Sequence, residues 1–173
     1  MIRTLSQLAF FYALWFACVL GAAHAMPWLG PAAVIAGVAL HLKFLARERR
    51  REISTIVLGV LLGAVIDSLF AAAHVVKYQC ALAPNLAPPW ILALWAAFAT
   101  TFAHGLSWLR GRPWLAMLAG ALAGPPSYLA GESLGALTVL EPRWVSFPAV
   151  AAGFALAVPL LAGARTPRPE RDH

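Results

Sequence analysis

Charge is what this chain lacks most: 12% of its 173 residues are Asp, Glu, Lys or Arg, against 61% that are hydrophobic. A water-soluble domain of this size carries about twice that share of charge. Acid is the scarcer sign, with 7 Asp and Glu against 13 Lys and Arg. No polar stretch is long enough for a separate soluble domain. Residues 1–164 therefore read as one transmembrane domain and 165–173 as a disordered, charged cytoplasmic tail. Cysteine is limited to Cys18 and Cys80, without metal-ligand spacing, and two free thiols are expected. The sequence holds no HExxH, P-loop, CxxC pair or glycine-rich dinucleotide turn, so neither a nucleotide cofactor nor a structural metal is indicated.

What is there is long apolar runs. Six can be read, at about Leu5–Ala23, Trp28–Ala46, Ile53–Val76, Trp90–Leu109, Trp114–Leu137 and Val145–Ala164. Each is long enough for a helix to cross the ~30 Å hydrocarbon core at ~1.5 Å per residue. Arginine clusters, prolines and short polar gaps separate them. Trp28, Trp90, Trp114 and Trp144 stand at run boundaries, as an interfacial aromatic belt requires. The expected fold is an all-α bundle of six transmembrane helices. Arg3 followed by an apolar stretch and Ala23-His24-Ala25 imitates a signal peptide, but the stretch exceeds a usual signal core and is read as the first span.

The net charge of +6 would suit nucleic acid, yet the basic residues sit in short gaps between apolar runs. That is the distribution of orientation signals, and nucleic-acid binding is set aside. Alternate gaps hold eleven Lys and Arg on one side and only Lys77 and Arg143 on the other. The basic side marks the cytoplasm and takes both termini. It also offers charge to anionic lipid headgroups.

Only two acids, Asp67 and Glu132, fall inside apolar runs, where a carboxylate is costly unless paired, protonated or wet. Counted from the cytoplasmic side, Asp67 and Tyr128 lie about 21 Å up their helices and Glu132 about 27 Å. Gly59, Gly63, Asp67, Ala71 and His74 share a stripe, as do Gly120, Gly124, Tyr128 and Glu132. The expectation is that the third and fifth helices pack together with both acids at the seam. The structural alternative is that each acid only bonds a neighbouring helix, or pairs with Lys77 or Arg143.

Gly124-Pro125-Pro126-Ser127-Tyr128 removes two backbone donors, and the fifth helix is expected to be broken or kinked there, as in transporter substrate sites. Thr100, Thr101, His104 and Ser107 put polar groups on the fourth helix, with His104 nearer the cytoplasm. Gly131-Glu132-Ser133-Leu134-Gly135 matches a nucleophile-elbow pattern, but that motif needs a strand–turn–helix and this one lies in a helical run. Gly30–Gly37 echoes Gly124–Gly131; two three-helix halves related by inverted topology would produce such an echo, and so would coincidence in segments this rich in alanine and glycine.

Several segments together carry a family resemblance: Leu62-Gly63-Ala64-Val65-Ile66-Asp67-Ser68, Pro89-Trp90-Ile91-Leu92-Ala93-Leu94-Trp95 with Phe98, His104-Gly105-Leu106-Ser107-Trp108, and Gly124-Pro125-Pro126-Ser127-Tyr128 with Gly131 and Gly135. The chain resembles an uncharacterised family of bacterial inner-membrane proteins, domain-of-unknown-function family 2878. The family has no established reaction. The resemblance implies an inner-membrane location and, through apparent neighbours that include cyclopropane-fatty-acid synthase relatives, membrane lipids and lipid-modifying enzymes as partners. Three functions follow. The first is a lipid-modifying enzyme or its partner, with Asp67 and Glu132 as acid/base groups. The second is a small transporter or substrate-binding subunit. The third is a structural or assembly protein. Tyr128, His74, Trp95, Ser127, Thr100 and His104 are the expected binding residues in the first two.

Overall fold

A computed structural model of the chain describes residues 2–46 and 48–164, with side chains from Gln7 onward; the tail expected to be disordered lies outside the described residues. Among the described residues six α-helices run in the order α1 (Ile2–Ala23), α2 (Leu29–Phe44), α3 (Arg49–Ala72), α4 (Pro89–Thr101), α5 (Pro113–Ser133) and α6 (Arg143–Gly163). Two three-residue strands interrupt the all-α pattern, β1 (Val76–Tyr78) after α3 and β2 (Leu137–Val139) after α5. They form an antiparallel ribbon with Lys77 opposite Thr138. Val76-Lys77-Tyr78 alternates buried, exposed, buried, as a half-buried strand does, and so do the residues of β2. That alternation explains why the third and fifth runs end as helices at Ala72 and Ser133 rather than at Val76 and Leu137.

Helix starts follow proline chemistry. Pro89 and Pro113 occupy first-turn positions, where the missing N–H has no partner to lose. The fourth helix stops at Thr101, well short of Leu109, and residues 102–112 turn back through a 3-10 segment at Ser107–Leu109. Local polar groups take over its last carbonyls. Thr100 and Thr101 hydroxyls bond carbonyls three residues back. Gln7 donates to Thr100 O, and Arg110 donates to Phe102 O and Ala103 O. With those carbonyls occupied, the segment satisfies its backbone without continuing the helix.

α4 is the centre, packing against α1, α2 and α3, while α6 joins α3 to α5. Trp90, Ile91, Trp95, Ala97 and Ala99 of α4 are all buried, as a helix apolar on every side must be. Glycines set the closest approaches. A Cβ on Gly153 would come within 2.7 Å of the Phe70 ring, and one on Gly59 within 2.9 Å of Ala99 Cβ. The α3 glycine stripe thus meets α4, and the α5 stripe meets Phe154 and Val158 of α6. The two stripes do not form one α3–α5 seam.

The helices are amphipathic in the reverse sense. α3 buries Thr55, Gly59, Gly63 and Asp67 and exposes Ile53, Val57, Leu61, Val65 and Leu69. α5 likewise buries Gly120 and Gly124 and exposes Leu118 and Leu122. Water-facing helices place these residue types the other way round. Among the described residues two helices, α3 and α6, are long and apolar enough to cross a membrane. Trp28, Trp114 and Trp144 are exposed as a belt would have them, but Trp90 is buried and donates its indole N–H to Gln79 O. α5 runs without interruption through Pro125 and Pro126, so the expected break is absent. The two prolines free the carbonyls of Ala121 and Leu122, but their fixed φ is itself helical and the helix continues past them to Ser133.

Candidate functional site

Asp67 is fully buried, and its carboxylate gathers donors from three other elements. Oδ2 accepts the Trp95 indole N–H of α4 at 2.7 Å. Oδ1 accepts the Tyr78 hydroxyl of β1 at 2.7 Å and also the Tyr128 hydroxyl of α5. The two tyrosine oxygens are 3.5 Å apart. No Lys, Arg or His pairs with Asp67 among the described residues. Three neutral donors solvate the carboxylate, but when it is ionised no cation among the described residues compensates its charge.

Each donor is placed by something the sequence contains. Gly63, one turn before Asp67, has no side chain because the Trp95 ring lies there: a Cβ would come within 2.7 Å of Nε1 and closer still to the ring carbons. Tyr128 stands one turn beyond Gly124, where α5 closes on the Phe154 ring. Rings wall the site. Tyr128 meets Phe70 and Phe154 edge to face at 6.0 and 5.9 Å, and Trp95 lies 5.2 Å from Phe154. Burial, and then the Asp67 carboxylate and Tyr128, push the Tyr78 hydroxyl well above the usual tyrosine range. Tyr78 therefore stays a donor at neutral pH.

Glu132 does not reach this cluster. Its Oε1 accepts the backbone N–H of Val139 at 2.9 Å, and its Oε2 pairs with Arg143 at 3.3 Å. It ties the end of α5 to β2 and α6, the pairing with Arg143 that a structural role calls for. Among the described residues the two acids share no hydrogen-bond partner, and the two-carboxylate pocket is replaced by a carboxylate with two tyrosines. His74 is exposed in the turn after α3 at φ 54°, off the helical stripe. The Ser127 and Thr100 hydroxyls each bond a carbonyl three residues back in their own helix. His104 lies in the turns beyond α4. The Ser133 hydroxyl likewise bonds Ala130 O, on a helix rather than an elbow. Of the expected binding residues, Tyr128 and Trp95 are the two that bond Asp67.

Tyr78 was missed, because it falls between the third and fourth apolar runs; the period-two pattern Val76-Lys77-Tyr78 was the available signal. A buried pair at the other end was missed too: His41 Nε2 and Glu52 Oε2 are 2.6 Å apart, with both side chains nearly inaccessible. His41 Nδ1 is buried without a hydrogen-bond partner. Glu52 had been counted among the gap charges, but α3 begins at Arg49 and draws it into the first turn. Cys18 and Cys80 are free thiols. Among the described residues no three His, Cys, Asp or Glu side chains gather as metal ligands.

The chain belongs to the family described as "Protein of unknown function (DUF2878)", whose profile matches residues 4–160. No curated protein and no solved structure matches it.

Proposed function

We propose that this member of the DUF2878 family is a six-span protein of the bacterial inner membrane, both ends cytoplasmic, in which Asp67 is the proton- or small-cation-binding group of a small transporter or substrate-binding subunit. The reverse amphipathicity of α3 and α5 supports the membrane reading, since lipid solvates exposed Leu and Val while glycine and polar groups pack inside. Orientation rests on one geometric fact. The ribbon joins the ends of α3 and α5, so their arginine-bearing starts, at Arg49–Arg51 and Arg112, share the opposite end of the bundle. The positive side is the cytoplasmic one.

The observation that carries the functional reading is the buried carboxylate without a counter-charge among the described residues. Glu132 has a fixed cationic partner in Arg143. Asp67 has only neutral hydroxyl and indole donors among the described residues, which leaves its carboxyl open to a mobile positive charge, a proton or a small cation. The lipid-enzyme reading is less well supported. It needs a lateral opening at Asp67, whereas the apolar groove of about 430 Å³ on the α2–α4 face is lined by Pro31, Val34, Val60 and Leu92 among others and does not include Asp67.

Labelling with a hydrophobic carbodiimide tests the reading, because the reagent reacts with a protonated carboxyl in an apolar site. Mass spectrometry of purified protein should find Asp67 modified, with a yield that falls as pH rises. A permanently ionised carboxylate would stay unlabelled at every pH, and that result ends the proton-binding reading.

A further inference from the structure

The helix faces that carry Asp67 and Tyr128 repeat each other. The two residues are 61 apart in sequence. The same step takes the buried face of α3, Thr55, Gly59, Gly63, Asp67 and Phe70, onto that of α5, Ala116, Gly120, Gly124, Tyr128 and Gly131. Packing repeats with it. Trp95 covers Gly63 with its ring and Gly59 with its carbonyl oxygen, and Phe154 does the same for Gly124 and Gly120. The closing turns repeat as well. Val75 N–H bonds Phe70 O after α3, Ala136 N–H bonds Gly131 O after α5, and His74 and Gly135 are both left-handed, at φ 54° and 82°.

The ribbon fixes the symmetry between the copies. Lys77 and Thr138, equivalent under the 61-residue step, face each other. Gln79 N–H bonds Ala136 O and Leu140 N–H bonds Val75 O, each at 2.9 Å, and these two bonds exchange partners under the same step. The units α3–β1–α4 and α5–β2–α6 are therefore related by a two-fold axis through the Lys77–Thr138 pair, and Asp67 meets its counterpart Tyr128 between them. Repeat interfaces are where transporter sites lie.

The chemistry at the seam selects a ligand. Asp67 Oδ1 and the Tyr78 and Tyr128 hydroxyl oxygens form a close triangle, and a hydroxyl that donates to the carboxylate still has lone pairs to offer. Three acceptors match the three N–H groups of a primary ammonium. They fall short of the six or more oxygens of a calcium site, or the octahedron of magnesium. The surrounding Trp95, Phe70 and Phe154 rings favour an organic cation. Building on the cation-binding role proposed for Asp67, we infer that the seam between the two repeats binds a small primary organic ammonium ion, admitted from the ribbon end when β1 withdraws Tyr78.

Tryptophan fluorescence of the full chain in detergent, titrated with ethylammonium chloride or sodium chloride at constant ionic strength, tests this. Ethylammonium should give a saturable change that sodium does not, and tetramethylammonium, which has no N–H, should bind at least tenfold more weakly. Tyr128→Phe keeps the ring and the carboxylate and should weaken ethylammonium several-fold; Asp67→Asn should abolish the response. Lys77→Cys with Thr138→Cys, in a chain with Cys18→Ala and Cys80→Ala, should block the response when oxidised and restore it on reduction. An equal response to sodium, a response that survives Asp67→Asn, or no response to ethylammonium overturns the inference. Carbodiimide labelling of Asp67 that persists in those cases leaves the proton-binding reading standing, so the two failures are distinguishable.

Discussion

Gly63→Ala is the most revealing small change available in this chain. The added methyl would fall within the Trp95 ring, 2.7 Å from Nε1 and nearer to the adjacent carbons, so the indole must move. Moving it breaks the 2.7 Å bond to Asp67 Oδ2. Overpacking costs about 1–3 kcal/mol. A hydrogen bond to a charged group adds about 1.5–3 kcal/mol. Alanine recovers about 0.5–1 kcal/mol of helix propensity. The net expectation is a loss of about 2–5 kcal/mol, read by reversible unfolding in mixed micelles or by the melting temperature in detergent. Gly163→Ala is the control, since a Cβ there meets nothing within 4 Å, and it should be neutral or slightly stabilising. Combining Gly63→Ala with Trp95→Phe should cost less than the sum of the two single changes, because the contact is shared. A Gly63→Ala loss below about 0.5 kcal/mol would refute the reasoning, since no part of it survives an indole that is free to move.

Tyr78→Phe and Tyr128→Phe each leave Asp67 Oδ1 with one hydroxyl; each should lower stability by about 1–3 kcal/mol, and the double change by more than the sum, measured on the same melts. Glu132→Gln keeps an acceptor for Val139 N–H and loses only a half-exposed pairing with Arg143, so the melting temperature should move by less than about 1 kcal/mol equivalent and carbodiimide labelling of Asp67 should not change. The Tyr78 hydroxyl is raised above its unfolded value, so its contribution is complete below the unfolded tyrosine pKa and declines as pH climbs beyond about 10. Melting curves from neutral to alkaline pH should show that decline, with a shallower slope in Tyr78→Phe. Equal slopes would remove Tyr78 from the pH dependence.

Much of the scaffold was legible because lipid-length apolar runs and their breakers are strong signals. Asp67 stood out as an acid inside such a run, and Tyr128 was found at the same helical height. Height, however, does not give azimuth. Glu132 sits one turn further along α5, and it turns to Arg143 and Val139 instead of to Asp67. Stripe counting could say that Gly59, Gly63 and Asp67 share a face, but not that α4 rather than α5 would fill it. Tyr78 was invisible because apolar windows discard three-residue strands. His41 and Glu52 were passed over because a run boundary drawn at Ile53 left Glu52 outside a helix that begins at Arg49. The proline pair misled about a break for a physical reason: two donors are lost, yet proline's φ suits a helix and the remaining bonds carry α5 on to Ser133.

Infrared difference spectroscopy of the reconstituted protein, taken between acid and alkaline pH, addresses Asp67 directly. The wild type should show a protonated-carboxyl band, shifted by its hydrogen bonds, that disappears on deprotonation and is missing from Asp67→Asn. Superimposable difference spectra from wild type and Asp67→Asn, in melts that show both folded, would mean the carboxyl never exchanges its proton.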